Sequence, residues 1–175
     1  MTDIVRPFTP AEVASMLRAA AVLFTTEARG LPAALLSWHP ADGEWCVKDV
    51  LGHLIEAERR GFAGRIRQIL EVDRPSLEGW DPAAVARERN DCARDVESLL
   101  ADLERLREDS ARLVASLGGA ALARSGMHPV VGELRVGDLL QEWVHHDRNH
   151  ARQMMANVQA YAWPHMANAQ RFSTG

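Results

Sequence analysis

The stretch WVHHDRNHARQM, Trp143 to Met154, places three of the chain's seven histidines within six residues. Imidazole can ligate a metal, carry a proton near neutral pH or sit hydrogen-bonded in a core. His146 and His150 stand four apart. On a helix that spacing stacks them on one face, with Cβ atoms about 5–6 Å apart, so both rings can reach one ion. A third ligand must then come from another element. His53, in VKDVLGHLIEAE, is the best supplier, because it lies on the shoulder of an apolar stripe with Cys46, Val50 and Ala57. His39, His128 and His165 fall in loops or in the tail and rank below it. Core histidines that ligate nothing also occur at H-x-x-x-H spacing, so the pattern alone leaves both readings open.

Carboxylates surround these histidines in sequence. Glu58 falls between Leu54 and Phe62 on the apolar side of the same helix, which makes it the candidate catalytic acid or base. A buried pair with an arginine is the alternative. Asp49 and Glu56 flank His53 at i−4 and i+3, and Asp147 follows His146; each is placed to orient an imidazole from behind. Solvated carboxylates at such positions are equally ordinary. The two cysteines, Cys46 and Cys92, form no C-x-x-C pattern and are far apart in sequence. They are expected to be reduced thiols, Cys46 as an imperfect helix cap and Cys92 as packing. Cys46 stands about 10 Å along a helix axis from His53, too far to share its metal. No Ser-His-Asp or Cys-His arrangement, GxGxxG or P-loop occurs.

The elements that must position these residues are helical. Thr9, Pro10 and Glu12 form a helix-start signature, with a helix expected over about 10–29. A second helix is expected over about 47–72. A third starts at Asp81-Pro82 and runs without a break to about Leu117, and a fourth covers about 136–160. SWHPADGEW, RPSLEGWDP and SGMHPVVGEL read as loops, and the tail from Tyr161 as irregular, with Trp163 its packing residue. On the fourth helix Leu139, Leu140, Trp143, Met154 and Val158 mark the apolar stripe. His146 and His150 fall on it, and His145 falls on the polar face. Strand signals are nearly absent. The expected fold is all-α, a four-helix bundle in one domain spanning 1–175 with a core over about 10–160.

Composition narrows the function. Apolar residues make up 47% and charged residues 25%, as in a soluble globule, and the formal charge is −4. No basic stripe exists to track a phosphate backbone, so nucleic acid is not an expected partner. Arg59, Arg60, Arg65 and Arg67 form the densest basic cluster and read as a solvated face. No apolar run approaches the ~20 residues of a membrane span. The start, MTDIVRPFTPAE, has no apolar leader core, and a cytoplasmic location is expected.

Three blocks resemble those of the DinB/YfiT-like superfamily, its DinB-like branch in particular. EWCVKDVLGHLIEAE is similar to the family's tryptophan-to-histidine block on helix two. HPVVGELRVGDLL is similar to its HP-x-x-G approach to the last helix, and WVHHDRNHARQM to its H-D-x-x-H-x-x-Q block. The resemblance spans about residues 10–160. It implies a four-helix bundle, a homodimer, and a divalent ion, nickel or zinc, held by the histidines that match His53, His146 and His150. It also implies either thiol-dependent transfer using a low-molecular-weight thiol or hydrolysis of a small molecule. The sequence departs from the family at two helix starts, with Cys46 and Arg135 where Ser or Thr is usual. Asp49 and Asp138 in the first turns offset part of that loss through the helix dipole. The alternative reading is a dimeric stress-related or binding protein whose metal is structural or vestigial.

Overall fold

The computed structural model describes residues 6–173. Residues 1–5, the start of the segment read for a leader, lie outside the described residues. Eight helices occur in the order α1 (Pro10–Gly30), α2 (Ala33–Leu36), α3 (Val47–Glu56), α4 (Phe62–Glu71), α5 (Pro82–Arg89), α6 (Val96–Ala115), α7 (Gly119–Leu122) and α8 (Val136–Ala162). The four-helix bundle is built from α1, the α3–α4 rod, α6 and α8. Helix α1 packs on α6 and α8, and α3 packs on the same two helices.

The helix starts follow their sequence signatures. Thr9 accepts from the Glu12 amide while Glu12 reaches back to the Thr9 amide, and Pro10 needs no donor in the first turn. At the two starts without Ser or Thr, a carboxylate three residues in satisfies the cap amide. Asp49 Oδ2 accepts from Cys46 N at 3.2 Å, and Asp138 Oδ2 accepts from Arg135 N at 3.1 Å. Each pair is the acidic half of a capping box, which explains why the missing hydroxyls are tolerated.

Four expectations require correction. The second helix is not continuous α-helix: a π-helical turn, Ala57–Gly61, joins α3 to α4. The wider turn crowds a carbonyl against the next turn, and a Cβ at Gly64 would collide with the Arg59 carbonyl oxygen. The expected third helix is two, because Asn90 adopts φ 49°, ψ 50° and ends α5. A 3₁₀ turn, Asp91–Ala93, follows, and Asp95 caps α6 by accepting from Ser98 N at 2.9 Å. What holds the break is tertiary: Asp91 is buried against Gly52 of α3, where any Cβ would occupy the space of its carboxylate. The segment SGMHPVVGEL is not a plain loop. Ser125–His128 (β1) and Gly132–Arg135 (β2) form an antiparallel hairpin, and Gly132, at φ 79°, makes the turn. In the tail, Trp163–His165 and Ala167–Phe172 form 3₁₀ turns, and Trp163 remains 41% exposed instead of packing.

Two apolar clusters fill the bundle. Leu17, Phe62, Ile66, Leu139, Leu140 and Trp143 belong to one, and Phe24, Leu51, Leu54, Leu103, Ala151 and Met154 to the other. Along α8 the change from one cluster to the other falls at His146 and His150. Helix α3 is buried on almost every side, so it can carry His53 into the interior. No helix among the described residues is long and apolar enough to cross a membrane.

Candidate metal centre

His53 from α3 and His146 and His150 from α8 converge. One ring nitrogen of each lies within 4.8 Å of the others. His53 Nε2 and His146 Nε2 are 3.0 Å apart. The ring centroids are 4.5 Å apart for His53 and His150, and 4.4 Å for His146 and His150. Metal–nitrogen bonds of about 2.0–2.1 Å bring ligand nitrogens to roughly 3.0–3.4 Å of each other, so the set fits a single ion. Burial, and then the neighbouring His150 and His146, push the His53 pKa down to about 3. Burial, and then His146, also lower that of His150. His53 is therefore neutral at physiological pH, with a lone pair available for ligation. His150 Nδ1 bonds the Gln153 side-chain oxygen at 2.9 Å, which leaves its Nε2 free of the proton. Gln153 had no assigned role in the sequence reading, although it is the last residue of the H-D-x-x-H-x-x-Q block.

Aromatic rings hold the imidazoles in place. Trp45 lies 4.9 Å from His53 and 6.2 Å from His150 by ring centroids; Trp80 lies 5.6 Å from His53, and Phe62 5.0 Å from His146. A cleft of about 780 Å³ opens above the three histidines. Arg65, His128 and Glu142 line it together with Trp45, Trp80 and Phe62. Arg65 is half-buried rather than on a solvated face, and its Nη2 lies 3.1 Å from His128 Nε2. Burial and the Arg65 charge lower the pKa of His128. The β hairpin brings His128 to the rim. Glu142 sits one turn before His146, on the exposed side of α8. His39 falls in a different cluster, with Cys46, Asp49 and Cys92, and His145 faces solvent beside Asn149.

Of the candidate carboxylates, only Asp147 lies beside one of the three imidazoles, behind His146. Glu58 does not line the cleft. It is 1% exposed, lies 3.1 Å from Arg107 and accepts from the Ser110 hydroxyl. Burial pushes its pKa up to about 7, against the pull of Arg107 and Ser110. Asp147 accepts two hydrogen bonds from Arg107, at 2.6 and 3.2 Å, and its Oδ1 lies 3.9 Å from His146 Nδ1. Burial works against its charge, but Arg107 and His146 hold its pKa below the usual value. Glu56 is enclosed by Arg59, Arg60 and Arg89 at 3.1, 2.9 and 2.5 Å. Asp49 points away from His53, toward Cys46, Cys92 and His39.

The expectation of two reduced thiols is overturned, because Cys46 and Cys92 form a disulfide. Their separation of 46 residues concealed the contact. The 3₁₀ turn that docks Asp91 on Gly52 also delivers Cys92 to the start of α3.

YfiT from Bacillus subtilis, described as a probable metal-dependent hydrolase with an unusual four-helix bundle topology, superposes with a TM-score of 0.81 over 93% of this chain and 93% of its own, at 18% identity. The likeness is one of fold. No curated protein matches the chain. The DinB superfamily model matches residues 16–154, a stretch that runs from α1 to α8 and includes all three converging histidines, and the chain belongs to that superfamily.

Proposed function

We propose that the protein is a divalent-metal-dependent enzyme acting on a small molecule, with the ion held by His53, His146 and His150. The observation that carries this reading is the convergence of three imidazoles, His53 kept neutral by burial, at the floor of an open cleft. Imidazole donors suit nickel and zinc. A three-histidine set leaves positions open, and an ion there supplies Lewis acidity toward water or a thiol. Hydrolysis, or transfer to a low-molecular-weight thiol, is the reaction class that this chemistry serves. The fold shared with YfiT, described as a probable metal-dependent hydrolase, supports the first.

The chain's own residues divide the remaining work. Trp45, Trp80 and Phe62 exclude water from the imidazoles and give an apolar body its binding surface. Arg65 and His128 at the rim offer donors to an anionic or carbonyl group. Asp138 and Glu142 are the carboxylates lining the cleft; Asp138 accepts from the Arg135 amide, so Glu142 takes the proton-accepting role, while Glu58 stays in the interior. A homodimer belongs to the same proposal and rests on the family resemblance; a cytoplasmic location belongs to it too and rests on the sequence reading.

The test is elemental analysis of untagged protein purified without chelators and with its disulfide intact, beside His150→Ala. Close to one nickel or zinc per chain is expected in the parent and little in the variant. A metal-free parent that also fails to reload would return the three histidines to the core. Azide or a small thiol should then shift the visible spectrum of the cobalt-loaded protein. A spectrum that neither ligand moves would favour a closed, structural site.

A further inference from the structure

A second group of donors gathers at the start of α3, beside Trp45. His39, Cys46, Asp49 and Cys92 each offer one ligand atom, and all four atoms lie within 4.8 Å of one another. We propose that the reduced Cys46–Cys92 pair, with His39 and Asp49, forms a second metal site that takes a zinc-class ion. Two sulfurs, one imidazole nitrogen and one carboxylate oxygen make a four-donor set suited to tetrahedral zinc.

The distances from Cys92 agree with one shared ion, and reduction lets the two bonded sulfurs part to the roughly 3.8 Å that two metal–sulfur bonds span. Cys92 Sγ is 3.4 Å from His39 Nε2 and 3.3 Å from Asp49 Oδ2. Bonds of about 2.3 Å to sulfur and 2.0–2.1 Å to nitrogen or oxygen, at tetrahedral angles, give edges of roughly 3.5 Å. The ligands are also oriented in advance. His39 Nδ1 bonds the Glu44 carbonyl at 2.7 Å, which places its proton there and turns the Nε2 lone pair toward the sulfur. Asp49 Oδ2 is held by the Cys46 amide. The Cys92 carbonyl accepts from Ser37 Oγ and Lys48 Nζ, both at 3.2 Å, which pins the 3₁₀ turn over the start of α3. Cys46 is the cap residue of α3, where the helix dipole favours a thiolate. A separate cleft of about 400 Å³, lined by His39, Asp49, Asn90 and Cys92, gives an ion access from solvent.

The disulfide and the ion are alternative occupants of the same two sulfurs. A phosphine reductant breaks the S–S bond: it takes oxygen from water, is oxidised to the phosphine oxide, and leaves an electron pair and two protons on the sulfurs. The ion then displaces both thiol protons to solvent. Peroxide reverses the exchange, two thiolates, peroxide and two protons giving the disulfide, the free ion and two waters.

The experiment is an anaerobic cobalt(II) titration of metal-free protein in two forms, one with the disulfide intact and one reduced by phosphine, with both thiols confirmed free in denaturant. The reduced form should bind one more cobalt than the oxidised form and gain a near-ultraviolet thiolate-to-cobalt charge-transfer band, which a three-histidine site cannot produce. The band should be lost in Cys92→Ser and kept in His150→Ala. His39→Ala, a surface change that spares the fold, should weaken the extra cobalt at least tenfold. Reduced protein that binds no additional cobalt and shows no such band overturns the proposal, as does an affinity that His39→Ala leaves unmoved. Neither result bears on the three-histidine centre, which the oxidised form reports alone.

Discussion

Glu58→Gln tests how the interior handles its charge. Arg107, Glu58 and Asp147 are each no more than 2% exposed, so one cation shares a dry space with two acids. Asp147 accepts two hydrogen bonds from Arg107, the nearer at 2.6 Å, and is the charged partner. Electroneutrality then calls for a proton on Glu58, in agreement with its pKa of about 7. An acid whose folded pKa lies above its unfolded value of 4.5 contributes stability that is full below pH 4.5 and is lost as pH rises through about 7. At 1.36 kcal/mol per pH unit the whole loss is about 3 kcal/mol, most of it between pH 5 and pH 8.5. Glutamine keeps the shape and stays neutral, so it removes this dependence. Urea unfolding of metal-free, disulfide-intact protein at several pH values gives the difference directly, and the histidines common to both chains cancel. The variant should gain about 2–3 kcal/mol on the parent between pH 5 and pH 8.5. Parallel curves would refute a protonated Glu58. A parent that gains on the variant as pH rises would show instead that Glu58 is charged and bound to Arg107.

Two further substitutions probe the scaffold and the three-histidine centre. Gly52→Ala puts a methyl group where the Asp91 carboxylate lies; overpacking of this kind costs about 1–3 kcal/mol, read as a lower urea midpoint at unchanged slope. Gln153→Ala frees His150 Nδ1 of its partner; on the proposed reading metal affinity falls about 10–100-fold in a chelator competition while the fold, followed by circular dichroism, is unchanged.

Helix existence and the facing of the histidines were legible because they depend on local rules. Thr9-Pro10-x-Glu12 and Asp81-Pro82 announce helix starts through their own hydrogen bonds, and a four-residue step fixes which side chains share a face. What could not be read depends on contacts between segments. Asn90 is compatible with a left-handed residue, but only the docking of Asp91 on Gly52 makes the break necessary. The π turn has a faint local mark in Gly61 and Gly64, neither of which is diagnostic without Arg59's carbonyl. The disulfide and the His39 cluster arise from the same docking event, so a reading that kept the third helix unbroken had to miss both. Glu58 was placed correctly as a buried residue. Its partner Arg107, 49 positions away, is what removes it from the cleft.

The fate of the four flagged carboxylates bears on the chemistry of the proposed centre. Glu56 is neutralised by three arginines, Glu58 and Asp147 share Arg107, and Asp49 turns to the cysteine cluster. None of the four is placed to donate an oxygen beside the three imidazoles. A ligand set made only of neutral imidazoles leaves the full charge of a divalent ion to act at the open positions, whereas each carboxylate ligand would cancel part of it. Acidification of a bound water or thiol is strongest in the first case. On the proposed reading, Arg107 and the arginines around Glu56 therefore engage Glu56, Glu58 and Asp147 in ion pairs of the bundle, so that none of them replaces an imidazole as a ligand. With Asp138, the other carboxylate of the cleft, bound to the Arg135 amide, Glu142, exposed and one turn from His146, is left to receive a proton without quenching the site.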